Sequence, residues 1–131
     1  MSSGVVLDTS ALLAFLLQEP GGEDVGAMLQ GRALVSAVNV QELLAKLITK
    51  GMSPHHARET VRSLDLECHA HTLEAAEAAA ELIAQTRAKG LSLGDRSCLA
   101  LARKMNMPAI TADRIWAELA DAAGVAVTVI R

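Results

Sequence analysis

Two rhythms of apolar residues alternate along this chain. Short, largely β-branched or aliphatic runs have the length and make-up of strands: Val5-Val6-Leu7, Ala33-Leu34-Val35, Leu66 to His69, Pro108 to Thr111 and Val125 to Ile130. Between them, apolar residues recur every three or four positions, as on one face of a helix. Helices are predicted over Ala11 to Leu17, about Glu23 to Gln30, a stretch after Ser36 that carries Glu42 with Leu43, Leu44, Leu47 and Ile48, and about Pro54 to Leu64. Two more are predicted, one over Thr72 to Lys89 with apolar positions at Leu73, Ala76, Ala79, Ala80, Ile83 and Ala84, and one over Ser92 to about Met105, with a short one around Trp116 to Ala120. Gly31, Gly51, Gly90 and Gly124 close four of these, as glycine does at helix ends.

Strands alternating with helices imply βαβ crossovers. The expected class is α/β: a mostly parallel sheet of about five short strands with helices on both faces. In such sheets ligands sit beyond the C-terminal ends of the strands, at the point where the strand order reverses. The 131 residues suit one domain over 1–131, with no repeat, linker or low-complexity tract.

Composition narrows the function. Apolar residues make up 51% of the chain, yet no stretch approaches the roughly 18 uninterrupted positions that cross a bilayer. No secretory pattern is visible in the first residues, so a cytoplasmic protein is expected. Cys68 and Cys98 fall in apolar-periodic segments and read as reduced, mostly buried small hydrophobes. The net charge of −3 repels nucleic acid, and aromatics at 2% exclude a base-stacking platform, so any nucleic acid must be gripped through its backbone.

Four acids stand out by position. Asp8 ends the first strand and Asp113 follows the fourth, so parallel strands deliver both to the same edge. Glu42 and Asp95 are expected in the first turns of helices entered from that edge. Each acid also has an ordinary explanation. Asn39-Val40-Gln41-Glu42 and Ser92-Leu93-Gly94-Asp95 match capping-box spacing, and Asp8 and Asp113 suit helix N-caps. Capping does not ask for acids after apolar strands, however, nor for Ser10 and Thr111 within two residues of Asp8 and Asp113. Those hydroxyls can orient the carboxylates.

Carboxylates and hydroxyls without His or Cys select a hard cation, Mg²⁺ or Mn²⁺. Such a site suits phosphodiester hydrolysis by activated water, and the cation lets an acidic protein hold a polyanion. Arg96 and Arg114 beside the last two acids are candidate phosphate contacts, set against an ordinary solvated helix face. Cys68-His69-Ala70-His71 has zinc-ligand residue types but lacks a second ligand pair, and reads as the end of a strand.

Val6-Leu7-Asp8-Thr9-Ser10-Ala11-Leu12, the Glu42 helix, Leu91-Ser92-Leu93-Gly94-Asp95 with Cys98-Leu99-Ala100-Leu101-Ala102, and Thr111-Ala112-Asp113 together resemble, in order, the motifs of the PIN-domain family, in particular its VapC-type toxin ribonucleases. The resemblance spans essentially the whole chain. It implies a Mg²⁺ or Mn²⁺ site on Asp8, Glu42, Asp95 and Asp113 with Ser10 and Thr111 as accessory hydroxyls, and cleavage of RNA, usually transfer or ribosomal. A homodimer and inhibition by a VapB-type antitoxin are further implications. One departure is visible: where many relatives place a further acid and then Phe after the last aspartate, this chain has Ile115 and Trp116, one ligand fewer for a second ion.

Two rival readings remain. Phosphotransfer enzymes of the haloacid-dehalogenase or receiver kind also place Asp after strand one. The former needs a second Asp where this chain has Ser10, and the latter needs paired acids before the first helix. A catalytically silent domain that binds only a protein or RNA partner is the other alternative.

Overall fold

The computed structural model describes residues 3–86 and 89–131. Five strands form one all-parallel sheet in the order β3-β2-β1-β4-β5. They are β1 (Gly4–Leu7), β2 (Arg32–Ser36), β3 (Glu67–His69), β4 (Ala109–Thr111) and β5 (Val127–Val129). The chain steps outward from β1 through β2 to β3, then crosses back to lay β4 on the other side of β1. The strand order therefore reverses between β1 and β4, the place where open parallel sheets bind ligands.

Side chains alternate across the sheet and divide the core in two. Val6, Leu34 and Ala109 face helix α7 (Leu93–Met105) through Cys98, Leu99 and Ala102, and on the same side meet Trp116, Leu119 and Ala123. Leu7, Val35 and Ile110 face the opposite layer of α1 (Thr9–Leu16), α2 (Gly22–Met28), α3 (Ala37–Thr49) and α4 (Pro54–Arg62), through Leu12, Val25, Leu43, Leu47 and Ala57. A one-residue register slip in β1 would turn both sets of side chains to the wrong layer. Edge strand β3 is tied to β2 by parallel pairing and by Arg32, which donates twice to the Glu67 carboxylate at 3.0 Å.

Three expectations need correction. The helix carrying Glu42 begins three residues earlier than a capping box on Asn39 requires. Ser36, the last residue of β2, is its N-cap and accepts from the Val38 N–H at 3.1 Å, so Glu42 lies in the second turn of α3. The strand runs into the helix with no loop, and Asn39 is left free for another role. The helix expected over Thr72 to Lys89 is α5 (Leu73–Glu81) followed by α6 (Ile83–Thr86); Arg87 and Ala88 lie outside the described residues. The two meet at Leu82, whose N–H donates to the Ala79 carbonyl at 3.2 Å, three residues back and not four, while its side chain is buried in the core layer that includes α7. Leu73 and Ile83, expected on the apolar face, are exposed. Finally, Cys98 is buried as expected, but Cys68 is exposed, because an edge strand of three residues is covered incompletely.

After β4 the chain forms a 3₁₀ turn, Arg114–Glu118, and the short helix α8 (Ala120–Ala123) before β5. Among the described residues no helix is long and apolar enough to cross a membrane.

Candidate active site

Asp8 extends from the end of β1 at the switch point, and its backbone N–H donates to the Ile110 carbonyl of β4 at 3.1 Å. Only 3% exposed, its carboxylate takes three short hydrogen bonds. Oδ1 accepts from the Ser10 hydroxyl and the Ala11 N–H, each at 2.8 Å, and Oδ2 accepts from the Thr111 hydroxyl at 2.8 Å. Asp8 is thus the N-cap of α1 and also the centre of a polar knot joining β1 to β4. Burial nevertheless raises its pKa to about 6, against the pull of those donors, and the charge of Asp95 adds to the rise.

Of the two accessory hydroxyls, Ser10 is expected beside Asp8 and Thr111 beside Asp113; both donate to Asp8. Ser10 also accepts from the Ala112 N–H at 2.9 Å, and Thr111 accepts from the Asp113 N–H at 3.0 Å, so the knot carries Asp113 with it. Asp113 itself is exposed and caps the 3₁₀ turn, its Oδ1 accepting from the Ile115 N–H at 3.1 Å.

Glu42 reaches the same edge from α3. Its Oε1 accepts from the Thr9 hydroxyl at 2.9 Å and from Asn39 Nδ2 at 2.8 Å, so its nearest tie is to the residue that follows Asp8. Asp95 sits in the first turn of α7 in a true capping box: Oδ2 accepts from the Ser92 N–H at 2.9 Å, and its own N–H donates to the Ser92 hydroxyl at 3.2 Å. Its pKa is raised, first by burial and then by the charges of Glu42 and Asp113. The fully buried Cys98 thiol is pushed up as well, chiefly by burial and then by Asp8, Asp95 and Glu42, which leaves it inert as a nucleophile.

Four separate elements therefore deliver four acids into one electrostatic neighbourhood with Asp95 as its hub. Capping and site roles coexist: Asp8, Asp95 and Asp113 each hold a helix end. Among the described residues no three His, Cys, Asp or Glu side chains stand close enough to hold one ion. The donor set is nonetheless that of a hard cation, all oxygen, and Glu42, Asp95 and Asp113 each commit one carboxylate oxygen to the scaffold while the other takes no hydrogen bond from the described residues.

The arginines face elsewhere. Arg96 Nε donates to the buried Thr86 hydroxyl at 2.9 Å, and Arg114 Nε donates to the Arg131 carbonyl at 3.0 Å. A roomy cleft of about 320 Å³ opens between α5, α7 and the end of β3, lined by residues including Ser36, His69, His71, Ser97 and Lys104. None of the four acids lines it.

Three contributors to the site escape a reading for acids: Thr9, Asn39 and Gly94. A Cβ on Gly94 would collide with the Glu42 carboxylate, so glycine here makes room for the acid. The signal that could have found them is placement, since Thr9 adjoins Asp8, Gly94 adjoins Asp95, and Asn39 lies one helical turn before Glu42.

The PIN domain family model matches residues 5–122. The chain belongs to the PIN-domain family. Its single PIN domain is similar to several solved structures. A toxin-antitoxin complex from Klebsiella pneumoniae matches with a TM-score of 0.75 at 17% identity, over 98% of each chain. VapBC-5 from Mycobacterium tuberculosis, a member of the VapBC family of toxin-antitoxin systems, matches with a TM-score of 0.66 at 25% identity, over 99% of each chain. VapC20 from the same organism, a sarcin-ricin loop cleaving toxin, matches with a TM-score of 0.71 at 19% identity, over 88% of this chain and 95% of that one. No curated protein sequence matches the chain.

Proposed function

We propose that this PIN-domain protein is a divalent-metal-dependent endoribonuclease, the toxin of a VapBC-type toxin–antitoxin pair. The observation that carries the reading is that Asp95 shares a field with Asp8, Glu42 and Asp113, brought from four elements to the switch point of the sheet. Structural acids are placed to avoid such mutual repulsion; a site for Mg²⁺ or Mn²⁺ requires it. Asp8, Glu42, Asp95 and Asp113 are the residues that would hold the ion. When bound, the ion supplies charge neutralisation at the phosphate and a water of lowered pKa.

The chain's own groups do the rest. Ser10 and Thr111 fix the orientation of the Asp8 carboxylate by donating to its two oxygens. The half-buried Asp95 and exposed Asp113 form the side of the site open to a phosphodiester. Arg96 and Arg114 contact backbone phosphates only if they leave their present partners, Thr86 and Arg131. Transfer or ribosomal RNA is the substrate class, a VapB-type antitoxin the protein partner, and a cytoplasmic homodimer the working form. The similarity to solved toxin–antitoxin complexes supports the partner.

The test is an RNA cleavage assay with Mg²⁺ or Mn²⁺, with and without EDTA. Cleavage that EDTA abolishes and added metal restores supports the reading. RNA left intact by freshly prepared, metal-loaded protein across transfer and ribosomal substrates points instead to a silent binding domain.

A further inference from the structure

The metal site proposed above rests on four acids, but one of them is not free to choose how it binds. The Glu42 side chain is long, and its Oε1 is engaged twice, by Asn39 Nδ2 at 2.8 Å and by the Thr9 hydroxyl at 2.9 Å, whereas Oε2 takes no hydrogen bond from the described residues. The carboxylate also lies against Gly94 where a Cβ would collide with it, so it is confined from the α7 side as well.

Asn39 is 1% exposed, and its Nδ2 sits among three oxygens: Glu42 Oε1, the Gly94 carbonyl at 3.2 Å and Thr9 Oγ1 at 3.3 Å. A carboxylate and a carbonyl can only accept, so the amide must present its NH₂ to them. The opposite end, Asn39 Oδ1, is buried with no hydrogen-bonding partner among the described residues. A side chain kept only for packing would not leave half of its amide unpaired, because an unsatisfied buried acceptor opposes folding. The NH₂ is what the position requires. It binds one acid directly and the segments that carry two others, since Thr9 follows Asp8 and Gly94 precedes Asp95.

We infer that Thr9 and Asn39 are positioning residues that saturate Glu42 Oε1, so that Glu42 meets a divalent cation through Oε2 alone. Supporting groups that orient metal-binding carboxylates commonly change metal affinity by about 10- to 100-fold when removed. The inference depends on the proposed metal site, and the experiment separates the two. Mn²⁺ is titrated by calorimetry into metal-free wild type, Asn39→Ala, Thr9→Val, Glu42→Gln and the two double variants. Asn39→Ala and Thr9→Val should each weaken Mn²⁺ binding by about tenfold or more. In the Glu42→Gln background the same changes should cost less than about twofold, because the group they position is already altered. Equal losses in both backgrounds, or Mn²⁺ affinity unchanged in the single variants, overturn the inference while leaving the metal site intact. A wild type that does not take up Mn²⁺ removes the site and the inference together. If Asn39→Ala does not fold, Thr9→Val carries the same cycle alone.

Discussion

The Glu42 carboxylate lies where the Cβ of residue 94 would be, so Glu42 and Gly94 fit together only because Gly94 has no side chain. Gly94 is at the second position of α7, where Ala would ordinarily stabilise the helix by about 0.5–1 kcal/mol. Gly94→Ala should therefore fold with stability within about 1 kcal/mol of wild type, because the group it strikes is the end of a side chain and not backbone. It should nevertheless lose most RNA cleavage and Mn²⁺ binding as Glu42 is displaced. Thermal melting and Mn²⁺ titration on the same sample check this; a well-folded Gly94→Ala with normal Mn²⁺ affinity contradicts the role given to Glu42.

Asp8 yields a pH dependence of definite sign. Its folded pKa of about 6 lies above the ordinary aspartate value of 3.8, so between those values the folded state binds more protons than the unfolded one. Stability of the metal-free protein then falls as pH rises through about 4 to 6 and stays lowered above it, a difference of about 3 kcal/mol for two pKa units. Asp8→Asn keeps an oxygen to accept from the Ala11 N–H and an amide to donate to Thr111, but has no charge to desolvate. In EDTA it should be more stable than wild type at pH 7 and lose most of that pH slope, as chemical denaturation at pH 4, 5, 6 and 7 would show. A destabilised Asp8→Asn with the slope preserved would mean that capping alone describes this residue.

The fold and the first and last acids are legible in the sequence for a physical reason. A β-branched run that ends abruptly on a carboxylate, as Val5-Val6-Leu7 does on Asp8, marks both a buried parallel strand and the edge from which it emerges. Asn39 is not legible in that way, since Asn39 and Glu42 have capping-box spacing. Only the direct passage from β2 into α3, with Ser36 serving as cap, shows that the amide is free to grip Glu42. The break at Leu82 is hidden too. Ala-rich α5 has so little contrast between its faces that Leu73 and Ile83 read as inward, while the buried positions are Ala79, Leu82 and Thr86. The coupling of Asp95 to Glu42 and Asp113 depends on how α3, α7 and β4 are stacked, which no local pattern records.

If the four acids act on one ion, their removal cannot be independent. Asp8→Ala, Glu42→Ala, Asp95→Ala and Asp113→Ala should each reduce cleavage by at least about 10²-fold, and pairs should lose little more than the worse single change. Products should carry 5′-phosphate and 3′-hydroxyl ends, because water activated by a metal needs no ribose 2′-hydroxyl. End-labelling of the fragments decides this, and a 2′,3′-cyclic phosphate would replace the metal–water mechanism with transesterification.

Asp95 is the acid whose two roles can be separated by stability. Its Oδ2 accepts from the Ser92 N–H, a bond that Asn can preserve, while burial first, and then the charges of Glu42 and Asp113, raise its pKa. Burial and like charge both oppose its ionised form, and removing the charge relieves both. Asp95→Asn should therefore raise the melting temperature of the metal-free protein at pH 7. Millimolar Mn²⁺ should raise the melting temperature of wild type, by binding the folded state alone, and have little effect on Asp95→Asn. Trp116, fully buried, with its backbone N–H donating to the Asp113 carbonyl at 3.2 Å, provides a second readout: Mn²⁺ should quench its fluorescence in wild type and much less in the variant. A capping role alone makes Asp95→Asn neutral or slightly destabilising and leaves both melting and fluorescence indifferent to Mn²⁺; that outcome would show the four carboxylates to be neighbours without a common ion.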